Sequence, residues 1–301
     1  MININELTHI CNKLDCRIIP ECSLSEYVTF RFGGKCRALI NINSAESVIE
    51  ILRYLKSENI RYFVLGRGSN VIVSDEGFDG VILLFGSNFA HIEVNGNTIK
   101  ADAGVLLASV CVHAQQTGLS GMENLFGIPG TVGGALYMNA GAYGSEMSDI
   151  VVSAEYIDEN LEKHSINRED MELSYRHSFF SGKNFIITSV TMRLDNGDSQ
   201  TIRENMTVCM NKRSSKQPLE FPSAGSTFKR PEGSYASLLI EQCGLKGLTC
   251  GGAMVSEKHS GFIINKGHAT CADVMELCEK VQQIVKEKTG YTLELEPVIL
   301  K

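Results

Sequence analysis

Positive charge is not in excess in this 301-residue chain: 28 Lys and Arg stand against 35 Asp and Glu, a formal net charge of −7. Nucleic acid is therefore excluded as a general partner, because neutralising phosphates takes a basic surface. No stretch reaches the roughly 18 apolar residues that a membrane-crossing helix needs. The first ten residues, Met1 to Ile10, have neither the basic start nor the apolar core of a secretory signal. A cytoplasmic protein without membrane insertion is the expectation. The ten cysteines form no C-x-x-C and the seven histidines no H-E-x-x-H. No metal is expected, and the thiols read as reduced packing groups. There is no G-x-S-x-G for a hydrolase nucleophile. Internal repeats and low-complexity segments are also missing.

What is present is a soluble globular composition, 43% hydrophobic and 21% charged, long enough for two or three domains. Residues 1–22 read as a short helix and a connector, and 36–42 as a strand. Ser44 caps a helix whose apolar face is Val48, Ile51, Leu52 and Leu55. Strands at 61–65, 70–73 and 81–85, with Gly77–Gly80 as a turn, complete a lobe spanning 1–86. A second lobe, 87–206, has strands at 90–94 and 97–102 around an Asn95-Gly96 turn. Its helix carries Leu107, Val110, Cys111 and Ala114 and stops at Gly118. Further strands are expected at 150–158, 161–166 and 185–194. A polar helix at 200–213 leads into Lys212–Pro218, which reads as a domain junction. A third unit, 207–290, ends in a helix with a capping box at Thr270 and Asp273 and a stop at Gly290. The last strand, 292–300, is expected to return to the second lobe with the rest of 291–301.

Two glycine-rich stretches organise this chain. One runs from Asn124 to Gly144 and holds Gly127, Gly130, Gly133, Gly134, Gly141 and Gly144, with Pro129 in its early turn. It lacks the G-x-G-x-x-G spacing of a dinucleotide fingerprint and the Lys-Ser/Thr ending of a P-loop. Bare backbone of this kind is expected to approach a ligand closely, and its N–H groups to form a nest for a diphosphate. The other stretch, Leu65-Gly-Arg-Gly-Ser-Asn70, lies between two strands. Alone it reads as a tight turn. Two such loops about sixty residues apart point to one ligand held from both sides.

Seven motifs appear in order: Thr29–Gly34, Leu65–Asn70, Gly127–Gly134, Asn139–Gly144, Tyr175–Ser178, Ala224–Pro231 and Leu295–Pro297. Together they resemble the UDP-N-acetylenolpyruvoylglucosamine reductases, over nearly the whole chain. The absence of a long tyrosine-bearing insertion after Tyr175-Arg176 resembles the shorter type, common in Gram-positive bacteria. The resemblance implies an α+β fold: a two-lobed FAD-binding domain of the vanillyl-alcohol-oxidase (PCMH) type, plus a smaller α/β substrate domain. It implies an oxidoreductase of peptidoglycan synthesis that takes electrons from NADPH onto non-covalent FAD. The reduced flavin N5 would pass a hydride to C3 of the enolpyruvyl sugar nucleotide, giving UDP-N-acetylmuramate. A monomer without nucleic-acid or membrane partners is expected.

The same resemblance implies the site. Ser226 would donate the proton to C2, Glu296 would assist as an acid or by its charge, and Arg176 would face the substrate carboxylate. Flavin contacts would come from Arg31, Gly66, Gly68, Ser69, Asn70, Gly127, Ile128, Gly130, Thr131, Gly133, Gly134, Asn139 and Ala142. Substrate contacts would come from Tyr175, Lys216, Lys229 and Arg230. Read from the residues alone, Ser226 is a loop serine, Glu296 a solvated strand carboxylate, and Arg176 a surface arginine. The basic residues then form a solvated junction. Two rival functions stand beside the reductase: another flavin oxidoreductase of the same superfamily, and a non-catalytic sugar-nucleotide binder.

Overall fold

The computed structural model describes residues 2–301. The chain forms two compact units, and neither follows a single stretch of sequence. Unit 1 takes the residues up to Pro20, Ala38–Arg67 and Gly80–Lys212. Unit 2 takes Glu21–Arg37, Gly68–Asp79 and Arg213–Lys301. The boundaries expected at 86 and 206 are not where the chain divides.

Unit 1 opens with helix α1, Ile4–Lys13, capped by Asn3, whose side chain accepts the Glu6 N–H. Helix α2, Ala45–Ser57, starts at Ser44 as expected. The hydroxyls of Ser44 and Ser47 each accept the other's backbone N–H, at 3.1 and 3.2 Å. The buried face of α2 includes Val48, Ile51, Leu52 and Leu55. It belongs to a core that also holds Val81, Leu83, Ile99, Val110, Leu136, Val190 and Met192. The two lobes expected at 1–86 and 87–206 thus share one core.

An antiparallel five-stranded sheet runs in the order Lys163–Asn167, Val151–Ile157, Ile186–Arg193, Thr98–Asp102, Ile92–Asn95. Its hairpin pairs Asn95 with Thr98, so the two loop residues are Gly96 and Asn97. The turn sits one residue later than expected because its first position has positive φ, and Gly96 adopts +57° there. The turn expected at Gly77–Gly80 lies earlier: the Gly77 N–H donates to the Ser74 carbonyl at 2.9 Å, Gly77 has φ +86°, and the strand Phe78–Phe85 begins at once. Helix α3, Leu107–Gln116, buries the face foreseen for it. Helix α4, Val132–Tyr137, lies inside the glycine stretch and was not foreseen. Helix α5, Ser199–Lys216, extends into the stretch read as a junction. Its Ile202 and Met206 join the core of unit 1.

Unit 2 holds helices α6, Ala236–Gln242, and α7, Cys271–Thr289. It also has a three-stranded antiparallel sheet, Thr249–Cys250, Ala253–Val255 and Ile263–Asn265. Its core combines Leu239, Ile240, Ile263, Val274, Leu277 and Val281 with Phe30, Phe32 and Ile72 from far earlier in the chain. Those three apolar residues explain why residues 21–37 and 68–79 belong here. The end of the chain belongs here too. Strand Val298–Leu300 runs parallel to Val71–Val73, so the terminal segment does not return to the second lobe. Regular strand begins only at Val298, after Pro297, which lacks a donor. Val298 itself is exposed.

Candidate active site

In unit 2 the serine loop and the carboxylate tail lie side by side. Phe228 and Leu295 form an antiparallel bridge. Glu296 donates its N–H to the Thr227 carbonyl at 3.0 Å, and Lys229 donates to the Glu294 carbonyl at 2.8 Å. Thr227 is fixed on every side: its N–H donates to the Gly261 carbonyl at 2.8 Å, and its Oγ1 accepts the Ile263 N–H at 3.0 Å. Ser226, half-buried, precedes this anchored residue. Gly225 before it has φ +77°, and open space surrounds the position a Cβ would take. Glu296 is also half-buried.

Two further motifs join this pair within unit 2. Asn70 donates its amide to the Glu296 carbonyl at 3.4 Å, and the Asn70 carbonyl accepts the Val298 N–H at 2.9 Å. Thr29 donates its hydroxyl to the Ser223 carbonyl at 2.6 Å and its N–H to the Gly68 carbonyl at 3.2 Å. Gly68, Ser69 and Asn70 therefore fold together with Ser226 and Glu296. Arg31 is exposed, with φ +59°. The basic residues each have their own setting. Lys229 pairs with Glu294 at 3.3 Å, the Arg230 guanidinium lies 4.9 Å from the centre of the Tyr235 ring, and Lys216 is exposed at the end of α5.

In unit 1 the two glycine stretches touch. A Cβ on Gly66 would come 2.5 Å from the Thr131 Oγ1. Thr131 caps α4, whose Gly134 N–H points to that hydroxyl at 3.4 Å. Four N–H groups of this loop are used within unit 1. Ile128 donates to the Leu125 carbonyl, Gly130 to Ile128, Val132 to Val105 and Gly133 to Ala103, all between 2.8 and 3.0 Å. Gly133 is required by packing, since its Cβ would meet that of Ala103 at 2.7 Å. What the loop leaves outward is bare surface: Gly127, Ile128 and Gly130 are half-buried and Gly134 is exposed. Ala142, half-buried, pairs with Ser145 in a short ribbon.

Asn139 was expected beside the flavin, but its side chain is fully buried. Its amide nitrogen donates to Glu146 Oε2 at 2.9 Å and to the Ser174 carbonyl at 3.1 Å, and its Oδ1 accepts the Ser148 N–H at 2.9 Å. The side chain thus serves unit 1 itself. Ser174 and His177 exchange backbone hydrogen bonds at 3.2 and 3.1 Å, leaving Tyr175 and Arg176 as a two-residue turn. Arg176 has φ +56°, and its guanidinium lies 5.0 Å from the centre of the Tyr175 ring.

Sequence reading missed three well-fixed polar residues: Asn139 as an internal anchor, Ser178 and Thr227. All three are buried and stand within three residues of a motif end or a site residue. All ten cysteines are free thiols, and burial pushes the Cys36 and Cys278 thiols up to about 12, which suits packing groups. Asp158, Glu162 and His164 bring their ligand atoms within 4.8 Å of one another. The Asp158 carboxylate there accepts the N–H groups of Asn160 and Glu162 and faces His164 at 3.2 Å, as a hairpin turn knit to itself.

A family model described as an FAD binding domain matches residues 36–162. One described as the C-terminal domain of UDP-N-acetylenolpyruvoylglucosamine reductase matches residues 217–300. The reductase of Clostridium perfringens (strain 13 / Type A) is 44% identical, over 94% of this chain and 93% of that protein. That of Clostridium botulinum (strain Alaska E43 / Type E3) is 45% identical, over 93% of this chain and 91% of that protein. The crystal structure of the reductase (MurB) from Thermus caldophilus superposes with a TM-score of 0.80 at 33% identity, over 95% of this chain and 99% of that one. The fold is thus α+β with an FAD-binding domain of the vanillyl-alcohol-oxidase (PCMH) type, and the chain is an oxidoreductase that belongs to the UDP-N-acetylenolpyruvoylglucosamine reductase family.

Proposed function

We propose that this flavoenzyme uses NADPH to reduce the enolpyruvyl ether of UDP-N-acetylglucosamine to UDP-N-acetylmuramate, a step of peptidoglycan synthesis. FAD, when bound, accepts a hydride from NADPH and supplies one to the substrate. The residues of unit 1 suit a flavin as bare, close-approach backbone. The outward faces of Gly127, Ile128, Gly130 and Gly134 would hold it, and Gly66 keeps its loop against Thr131. Ser69 and Asn70 are further proposed flavin contacts from the Leu65–Asn70 motif.

The observation that carries the reading is the antiparallel pairing that sets Ser226 next to the Glu296 segment. Ser226 donates its hydroxyl proton to C2 of the substrate. A hydroxyl is a weak acid and can do this only toward a strongly basic, enolate-like carbon. Glu296 stabilises the same step by its charge or as a second acid. Arg176 binds the substrate carboxylate and the negative charge that grows on it. Tyr175, Lys216, Lys229 and Arg230 contact the sugar nucleotide, with Lys229 exchanging its Glu294 partner for substrate.

Anaerobic mixing tests this directly. NADPH is expected to bleach the bound flavin, and the enolpyruvyl sugar nucleotide to restore its colour with formation of UDP-N-acetylmuramate. Flavin that is reoxidised by dioxygen but not by that substrate would instead fit an oxidase of the same superfamily. A protein that takes up no FAD would fit a sugar-nucleotide binder.

A further inference from the structure

We propose that Asn139 and Ser178 are positioning residues that clamp the turn carrying Arg176, an inference that rests on Arg176 binding the substrate carboxylate. The turn itself is unusual. Arg176 adopts φ +56° without being glycine. That backbone is unfavourable for a residue with a β-carbon and persists only where the surroundings determine it.

The surroundings do so from both shoulders. On the first, Asn139 donates to the Ser174 carbonyl at 3.1 Å. On the second, Ser178 donates its hydroxyl to the Tyr137 carbonyl at 2.7 Å. Its own N–H is held by Ser181 Oγ at 3.0 Å. Both side chains are 0% exposed, so water does not compete for these bonds. Tyr137 and Asn139 flank the C-cap of α4. The two bonds therefore tie one short segment, 137–139, to both ends of the segment 174–178. Asn139 is in turn fixed by Glu146 and Ser148 at 2.9 Å each.

This arrangement makes chemical sense for an arginine that must receive a planar carboxylate. Bidentate binding is worth most when the guanidinium is preorganised, because a free arginine side chain loses rotamer entropy when it is fixed. The Tyr175 ring, 5.0 Å from the guanidinium carbon, holds one face of that side chain. The clamp fixes the Cα from which it extends. A misplacement of about 1 Å at a reacting group can cost a hundredfold in rate.

The test uses the FAD-loaded enzyme and both half-reactions. Ser178→Ala is expected to slow flavin reoxidation by the enolpyruvyl sugar nucleotide roughly ten- to a hundredfold, with flavin reduction by NADPH unchanged. Calorimetric binding of that substrate to the oxidised enzyme should weaken as well. In an Arg176→Ala background the same Ser178→Ala change is expected to do nothing further, because its effect passes through Arg176. Equal losses in both backgrounds, or no loss in the first, would overturn the clamp. Normal reoxidation by Arg176→Ala alone would overturn instead the reading of Arg176. Asn139→Asp, which replaces the donor by a carboxylate facing Glu146, repeats the cycle from the other shoulder, and if it does not fold the Ser178 pair still decides.

Discussion

Glu296 donates its backbone N–H to the Thr227 carbonyl at 3.0 Å. That bond places the backbone of Glu296, from the last residues of the chain, across from the residue that follows Ser226. An isolated serine and an isolated strand carboxylate would each pass for surface residues. The backbone pairing of Phe228 with Leu295 brings their two segments together, in a unit that also contains Gly68–Asn70.

Ser226→Ala is therefore expected to separate the two half-reactions. NADPH should still bleach the flavin at close to the wild-type rate. Reoxidation by the enolpyruvyl sugar nucleotide should fall by a factor on the order of 10²–10⁴, the usual worth of a positioned proton donor. The backbone anchors lie on Thr227, so the fold should be untouched. Stopped-flow absorbance reads both rates, and substrate turnover near wild type would remove Ser226 from the mechanism.

Features set by neighbours in sequence were legible, and those set by distant partners were not. The caps at Ser44 and Thr270 are local three-residue relations, and both formed as written. The α2 and α3 faces followed from helical spacing. Unit boundaries were hidden, because Phe30, Phe32 and Ile72 reveal their core only once the chain has folded around them. Helix α4 was masked by Gly133 and Gly134, which lower helix propensity but serve packing and room. Asn139 looked like a ligand contact because it stands among glycines. Its full burial and three internal bonds give it another task.

Thr270→Ala should destabilise the enzyme by about 0.5–2 kcal/mol, the usual cost of losing an N-cap. Thr270 Oγ1 accepts the Asp273 N–H at 3.1 Å, and Asp273 returns a bond to the Thr270 N–H at 3.0 Å. Asp273 also accepts the Gly252 N–H at 3.1 Å, so Asp273→Ala should cost more than Thr270→Ala. Denaturant midpoints compare the two, and a reversed order would show that the bond to Gly252 contributes nothing.

His259 gives the stability a dependence on pH. Burial holds its pKa below the ordinary 6.5. Its Nδ1 accepts the Gly261 N–H at 3.2 Å, which requires the neutral ring with that nitrogen unprotonated. Above pH 6.5 both folded and unfolded forms are neutral there, and the group adds no slope. As pH falls below 6.5 the unfolded chain takes up a proton that the folded one resists, so stability drops until the lower folded pKa is reached. His259→Asn keeps an acceptor but does not titrate. Its thermal midpoint should fall less than that of the wild type between pH 7.5 and 5.5, roughly the range over which an ordinary histidine charges. Parallel curves would assign the slope to other groups.

The contact between Gly66 and Thr131 offers the most specific steric test. Gly66→Ala would bring its methyl 2.5 Å from Thr131 Oγ1 and 3.1 Å from Cγ2. One loop must then move, at a cost of about 1–3 kcal/mol, and FAD content should fall with the midpoint. Thr131→Ala removes both opposing atoms. It also removes the cap on Gly134, but that bond is 3.4 Å long and its loss should be mild. The double variant is therefore expected to recover most of the stability and flavin content that Gly66→Ala loses, a departure from additivity that neighbouring residues show. Recovery of stability without recovery of flavin would mean that Gly66 meets the cofactor as well as Thr131. Additive losses in both measurements would mean that the two loops do not share this contact at all.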